Sequence, residues 1–158
     1  MLAAIEHHAA RLTAPATPAA HWFLRIGFGA VFLQKGFGKF FGMGLERFSQ
    51  MMVAPNFGVD GALAYAMAGA VGAAEFAAGA AIILGGLISG AAGAMLTRLA
   101  ALAALPVLLG AIFTVHWGRW AFSPAEGFPM GGMEYQVVLT LIALYFLTRP
   151  GAQTRDGA

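Results

Sequence analysis

The 158-residue chain contains no cysteine. That excludes a disulfide, a thiolate nucleophile and any Cys-ligated metal centre, so a redox role would need a bound cofactor or a partner's thiols. Charge is the second scarcity. Only 10% of the residues are charged, against about 25% in a soluble domain, and 59% are hydrophobic. Most of the surface is therefore not built for water, and the class is an integral membrane protein. The net charge is +2, and the nine Lys and Arg residues are scattered. They read as topology signals flanking membrane segments and exclude a nucleic-acid footprint. No P-loop, G-x-S-x-G or c-haem motif is present. His7 and His8 form a lone doublet and His21 has no spaced partner, so no metal site is expected.

Long apolar runs are what the chain has in abundance. Residues 21–41, 61–88, 93–115 and 132–148 each approach the length that crosses a bilayer, about 20 residues of helix. The expected fold is all-α, an integral membrane four-helix bundle formed by residues 21–151. Residues 1–20 form a tail that lacks the basic start and long apolar core of a signal peptide. Two states are open to it: a short amphipathic helix ending near Pro15 and Pro18, or a loose segment. Residues 152–158 form a second tail. The connector 42–60 has room for a short helix over residues 45–52, and Pro106 interrupts the third span. Four spans place both termini on one side. That side collects Arg11, Arg25, Arg98, Arg149 and Arg155, and the other Lys39, Arg47 and Arg119. Five against three favours cytoplasmic termini.

Glu75 is the only charged residue between residues 62 and 89. An acidic or basic group at mid-span costs roughly 2.5–3.5 kcal/mol on insertion scales, so a partner must face it. At about 100° per residue, Arg25, Gly29, Phe32, Gly36 and Lys39 share one face of the first segment, with Lys35 about 80° from the centre of that stripe. Glycine beside charge suits a packed span better than an interfacial helix. On the second segment Gly72, Glu75, Gly79 and Gly86 share a face of their own. Setting the two stripes together makes Gly29, Gly36, Gly72, Gly79 and Gly86 the helix-packing residues, and Arg25, Lys35, Lys39 and Glu75 an intramembrane polar cluster. Depth along antiparallel helices leaves two partners for Glu75, Arg25 or Lys35. A second group, His116, Glu134 and Tyr145, with Lys39 beside it, is expected at the outer mouth. The helix dipole alone favours Glu134 in a first turn, and the His116 imidazole is a candidate proton carrier.

These stretches resemble the DoxX family of small bacterial membrane proteins. The resemblance rests on LRIGFGAVFLQKGFGKF (24–40), GAVGAAEFAAGAAIILG (69–85), TRLAALAALPVLLGAIFTVH (97–116) and GGMEYQVVLTLIALYFLTRPG (131–151). Within them recur an early Arg (Arg25), a G-x-x-K (Gly36, Lys39), a G-x-x-E (Gly72, Glu75), T-R-L-A (97–100) and a G-G-x-E (Gly131, Gly132, Glu134). Their order and spacing carry the likeness. It implies a four-helix, multi-pass protein of the bacterial inner membrane. Family members are linked to membrane oxidoreductase complexes, among them a quinone-reducing thiosulfate oxidoreductase. The resemblance thus implies a subunit that binds quinone, with no covalent cofactor, or that docks soluble or membrane oxidoreductase subunits. Two other readings stay open. One is a small transporter, working as a homo-oligomer, with Glu75 as the carrier. The other is a scaffold whose buried charges only hold the helices in register.

Overall fold

Ala- and Leu-rich apolar segments become helices at nearly the expected places. The computed structural model describes residues 17–151. The tail up to residue 16, with His7, His8, Arg11 and the candidate helix, and the tail 152–158 lie outside the described residues. Helix α1 is Thr17–Phe37 and continues as a π-helical turn, Gly38–Gly42. Two single-turn helices, α2 (Leu45–Phe48) and α3 (Ala54–Phe57), flank a second π turn, Ser49–Val53. Helix α4 spans Gly61–Leu87 and α5 Gly90–Ala111, the latter prolonged by a π turn, Ile112–His116. Helix α6 is Glu134–Thr148. No strand forms among the described residues.

One expectation needs correction. Pro18 does not end a helix; it lies within α1. Pro106 lies inside α5, which continues past it to Ala111.

Helices α4 and Gly90–His116, at 27 residues each, are long and apolar enough to cross a membrane. Helix α6 has 15 residues, about 22 Å of rise. Leu84, Leu99, Leu102, Leu109 and Leu141 point outward and are exposed, as in a protein that meets lipid rather than water.

The four long helices share one core. Phe28 and Phe32 of α1, Ile82 of α4, Leu108 of α5 and Leu139 and Phe146 of α6 fill it, with Ala78, Ala101, Ala104 and Ala143 where the helices come nearest. Neighbours in the chain are neighbours in space: α1 packs on α4, α4 on α5 and α5 on α6. The start of α1 and the end of α6 lie at the same end of the molecule, where His21 Nδ1 is 3.0 Å from the Tyr145 hydroxyl.

Glycine sets the α1–α4 distance. A Cβ on Gly36 would stand 2.6 Å from Phe76 N, and one on Gly79 2.7 Å from Leu33 N. A Cβ on Gly29 would stand 3.0 Å from Gly79 O, and one on Gly72 3.0 Å from the Phe40 ring. The two backbones nearly touch at Gly29, Gly36 and Gly79, and a methyl group there would push them apart, whereas at Gly72 it would displace the Phe40 ring. Gly86 makes room for the Arg25 stem instead, 2.7 Å from Arg25 Cδ to a Cβ built there. The segment 45–57 then closes over the α4 start, where Val53, Ala64 and Ala68 form a second small core with Leu45, Phe48 and Met67 around it.

Candidate functional site

The four charges of the expected cluster do not form one cluster. They separate into two ends of the molecule.

At the first end Arg25 is 1% exposed. Its Nη1 donates to the Ile82 carbonyl and, at 3.1 Å, to Thr97 Oγ1. Its Nη2 donates to the Pro150 carbonyl. Pro150 lies just past α6, so its carbonyl belongs to a helix C-terminal region, which favours a cation, whereas the Ile82 carbonyl lies inside α4. The guanidinium also stands 5.1 Å from the centre of the Phe146 ring, a cation–π contact. One side chain therefore ties α1 to α4, α5 and the end of α6. No carboxylate faces it among the described residues.

At the second end Glu75 Oε2 accepts from Lys39 Nζ at 2.5 Å. This corrects the expectation that Arg25 or Lys35 pairs with Glu75. Side chains on a helix lean toward its N-terminus. On α1 that lean carries Arg25 away from Glu75 and brings Lys39 back toward it. On the antiparallel α4 it tilts Glu75 toward the Lys39 level. Counting depth from backbone positions alone misses both tilts. Glu75 is 8% exposed, and Lys39 also stands 4.9 Å from the Phe48 ring centre. Lys35 sits on the neighbouring face, 5.9 Å from the Tyr135 ring centre.

The Lys39–Glu75 pair borders a cavity of about 230 Å³. Its apolar walls include Phe32, Val53, Val71, Leu108 and Leu139, and its polar lining is Lys35, Lys39, Glu75, Thr114, His116, Tyr135 and Gln136. Phe48, Met52 and Phe57 of the 45–57 segment close one side. The cavity joins what the sequence kept apart, because His116 comes from the π turn after α5 and meets the Lys39–Glu75 pair across it. His116 Nδ1 is 2.9 Å from the Gly131 carbonyl, and its Nε2 is 2.7 Å from Gln136 Nε2.

The expected outer-mouth group is corrected in two of its members. Glu134 is exposed and accepts a 3.2 Å hydrogen bond from Phe122 N–H; it pins the 117–133 loop and does not line the cavity. Tyr145 shares a helical face with Glu134 but stands three turns further along α6, at the Arg25 end, bonded to His21. A shared face says nothing about depth: eleven residues are about 16 Å of helix. Gln136 and Tyr135 are the functional-site candidates that sequence reasoning missed. Gln136 is the one amide side chain in the apolar α6 segment, and a neutral polar residue in such a run is the signal that would have found it.

The DoxX family model matches residues 20–117, well over half of the chain. No curated protein and no solved structure matches it. The matched region holds most of α1 and all of α4 and α5, and with them Arg25, Lys39, Glu75 and His116; it stops before α6, so the G-G-x-E likeness at residues 131–134 lies beyond it. Both membrane-capable helices lie wholly inside that region. The chain therefore belongs to the DoxX family and is a membrane protein.

Proposed function

We propose that this protein crosses the bacterial inner membrane four times, with both ends cytoplasmic, and serves as a quinone-interacting subunit of a membrane oxidoreductase system. The observation that supports this reading is the cavity at the Lys39–Glu75 end. Ligand sites are concave and mostly apolar, with a few convergent polar groups, and about 230 Å³ is of the order of one substituted ring headgroup. The ammonium groups of Lys35 and Lys39 are donors for ring oxygens, and Lys39 has two further N–H bonds beyond the one given to Glu75. Glu75 holds Lys39 in place and balances its charge at apolar depth. The chain has no redox-active side chain of its own among cysteines, so electrons would pass between the bound quinone and partner subunits.

Purification in mild detergent followed by lipid extraction and mass spectrometry tests the proposal. Stoichiometric quinone in the wild type, lost in Lys39→Met with the protein still folded, is the expected result. Preparations that never retain quinone, and that take up none when it is added, would refute it.

A further inference from the structure

The charges around the cavity do not balance. Lys35, Lys39 and Glu75 are its charged lining. Lys39 and Glu75 cancel each other in their 2.5 Å ion pair. Lys35 has no carboxylate within ion-pair distance among the described residues. It is exposed rather than packed away. Its Nζ reaches from α1 to within 5.9 Å of the Tyr135 ring centre on α6, and Tyr135 lines the same cavity. His116 does not supply the missing negative charge. The Gly131 carbonyl can only accept, so His116 Nδ1 carries a proton. With the Gln136 amide nitrogen on Nε2 the ring is neutral; with the amide turned over the ring would be cationic. The lining is net positive in either case. An uncompensated charge beside apolar walls is costly, and a ligand that brings one negative charge relieves that cost.

Resting on the quinone reading above, we infer that the cavity stabilises the anionic, one-electron-reduced form of the bound ring, the semiquinone anion, and that Lys35 supplies the charge that does so. Quinone and quinol are both neutral and leave Lys35 unbalanced. The semiquinone anion is the redox state that cancels it. The step is the transfer of one electron from a one-electron carrier in a partner subunit to the quinone ring. The carrier is oxidised and the ring reduced; no bond forms or breaks and no proton moves. The negative charge gained by the ring is the one that Lys35 faces. An opposite charge nearby favours the charged form of a group. A half-screened unit charge about 6 Å away shifts such an equilibrium at least about tenfold. A site that holds single electrons suits a junction between a two-electron quinone pool and one-electron carriers.

The test has two arms, both on the detergent-purified full chain. In the first, protein loaded with decylubiquinone is reduced stepwise with dithionite under anaerobic conditions and followed by electron paramagnetic resonance. A radical signal that rises and falls with potential is expected. Lys35→Met should lower the semiquinone formation constant at least about tenfold, whereas Lys35→Arg, which keeps the charge, should retain it. In the second arm, an alkylated hydroxynaphthoquinone, an anion at neutral pH, is compared with its neutral methyl ether by equilibrium dialysis. The anion should bind at least about tenfold more tightly, and Lys35→Met should remove that preference. Bound quinone with no radical at any potential, equal affinities for the two probes, or a preference that survives in a folded Lys35→Met would overturn the inference and leave the quinone reading standing. Binding of neither decylubiquinone nor the two probes would overturn both.

Discussion

Arg25 and Lys39 lie on one stripe of α1, fourteen residues apart, and the protein treats them in opposite ways. Arg25 is sealed: two carbonyls, a hydroxyl and an aromatic face surround it, and three other helices or their ends supply them. Lys39 is only partly enclosed, with its side chain 14% exposed, one bond to Glu75 and a cavity beside it. A cation whose donors are met by fixed backbone acceptors is a tie between helices. A cation with donors to spare, facing a cavity, is available to a ligand. The residue types differ accordingly. The Arg fork reaches several acceptors at once, whereas the Lys ammonium is a compact charge on a flexible stem.

The comparison can be broken at either end. The largest effect is expected from Arg25→Leu. It leaves the Pro150 carbonyl without its donor and removes a buried side chain that links α1 to α6, which should lower stability by roughly 2–4 kcal/mol, about 1–3 kcal/mol of it from the unsatisfied group. Thermal unfolding in detergent measures this, and molecules that remain folded should bind ligand normally. A fall in quinone affinity with stability unchanged would reverse the assignment of the two ends.

Gly79→Ala comes next, because its Cβ would meet the α1 backbone at 2.7 Å. Separating the helices should cost about 1–3 kcal/mol, again read as melting temperature. Quinone affinity should fall little, since the contact lies outside the cavity lining.

Lys39→Met and Glu75→Gln should act mainly on binding. Each should lower quinone affinity at least about tenfold, or about 1.4 kcal/mol. In a double-mutant cycle the pair should show a coupling of about 1–2 kcal/mol. Independent effects would mean that the two side chains do not act together.

Glu134→Gln is the smallest. The group is exposed and its replacement keeps an acceptor for Phe122 N–H, so stability should stay within about 0.5 kcal/mol and binding should not change. A large loss of binding would return Glu134 to the site.

Much of this contrast was legible before the fold. The glycine stripes of α1 and α4 follow from spacing alone, and the structure sets Gly36 and Gly79 against the opposing backbone. Glu75 announces itself as a lone carboxylate in an apolar run. His116 and the lysines were visible as separate groups, yet nothing in their spacing places them around one cavity. Tyr145 shares the Glu134 face by helical angle, but angle carries no depth, and depth puts it at the other end of α6. Gln136 was passed over because a neutral amide gives a weak signal until a partner is seen, and its partner is twenty residues away on another element.

The sequence by itself determined the class, the positions of the long helices, the faces on which they meet and the membership in the family. Those follow from hydropathy, periodicity and residue order, which are properties of the chain taken a segment at a time. Only the tertiary structure decided that Lys39 meets Glu75, that Arg25 turns away to α4 and the end of α6, and that Gln136 completes the cavity. Partner choice depends on side-chain lean and on relative depth between elements distant in sequence. Those quantities exist only once the helices have packed.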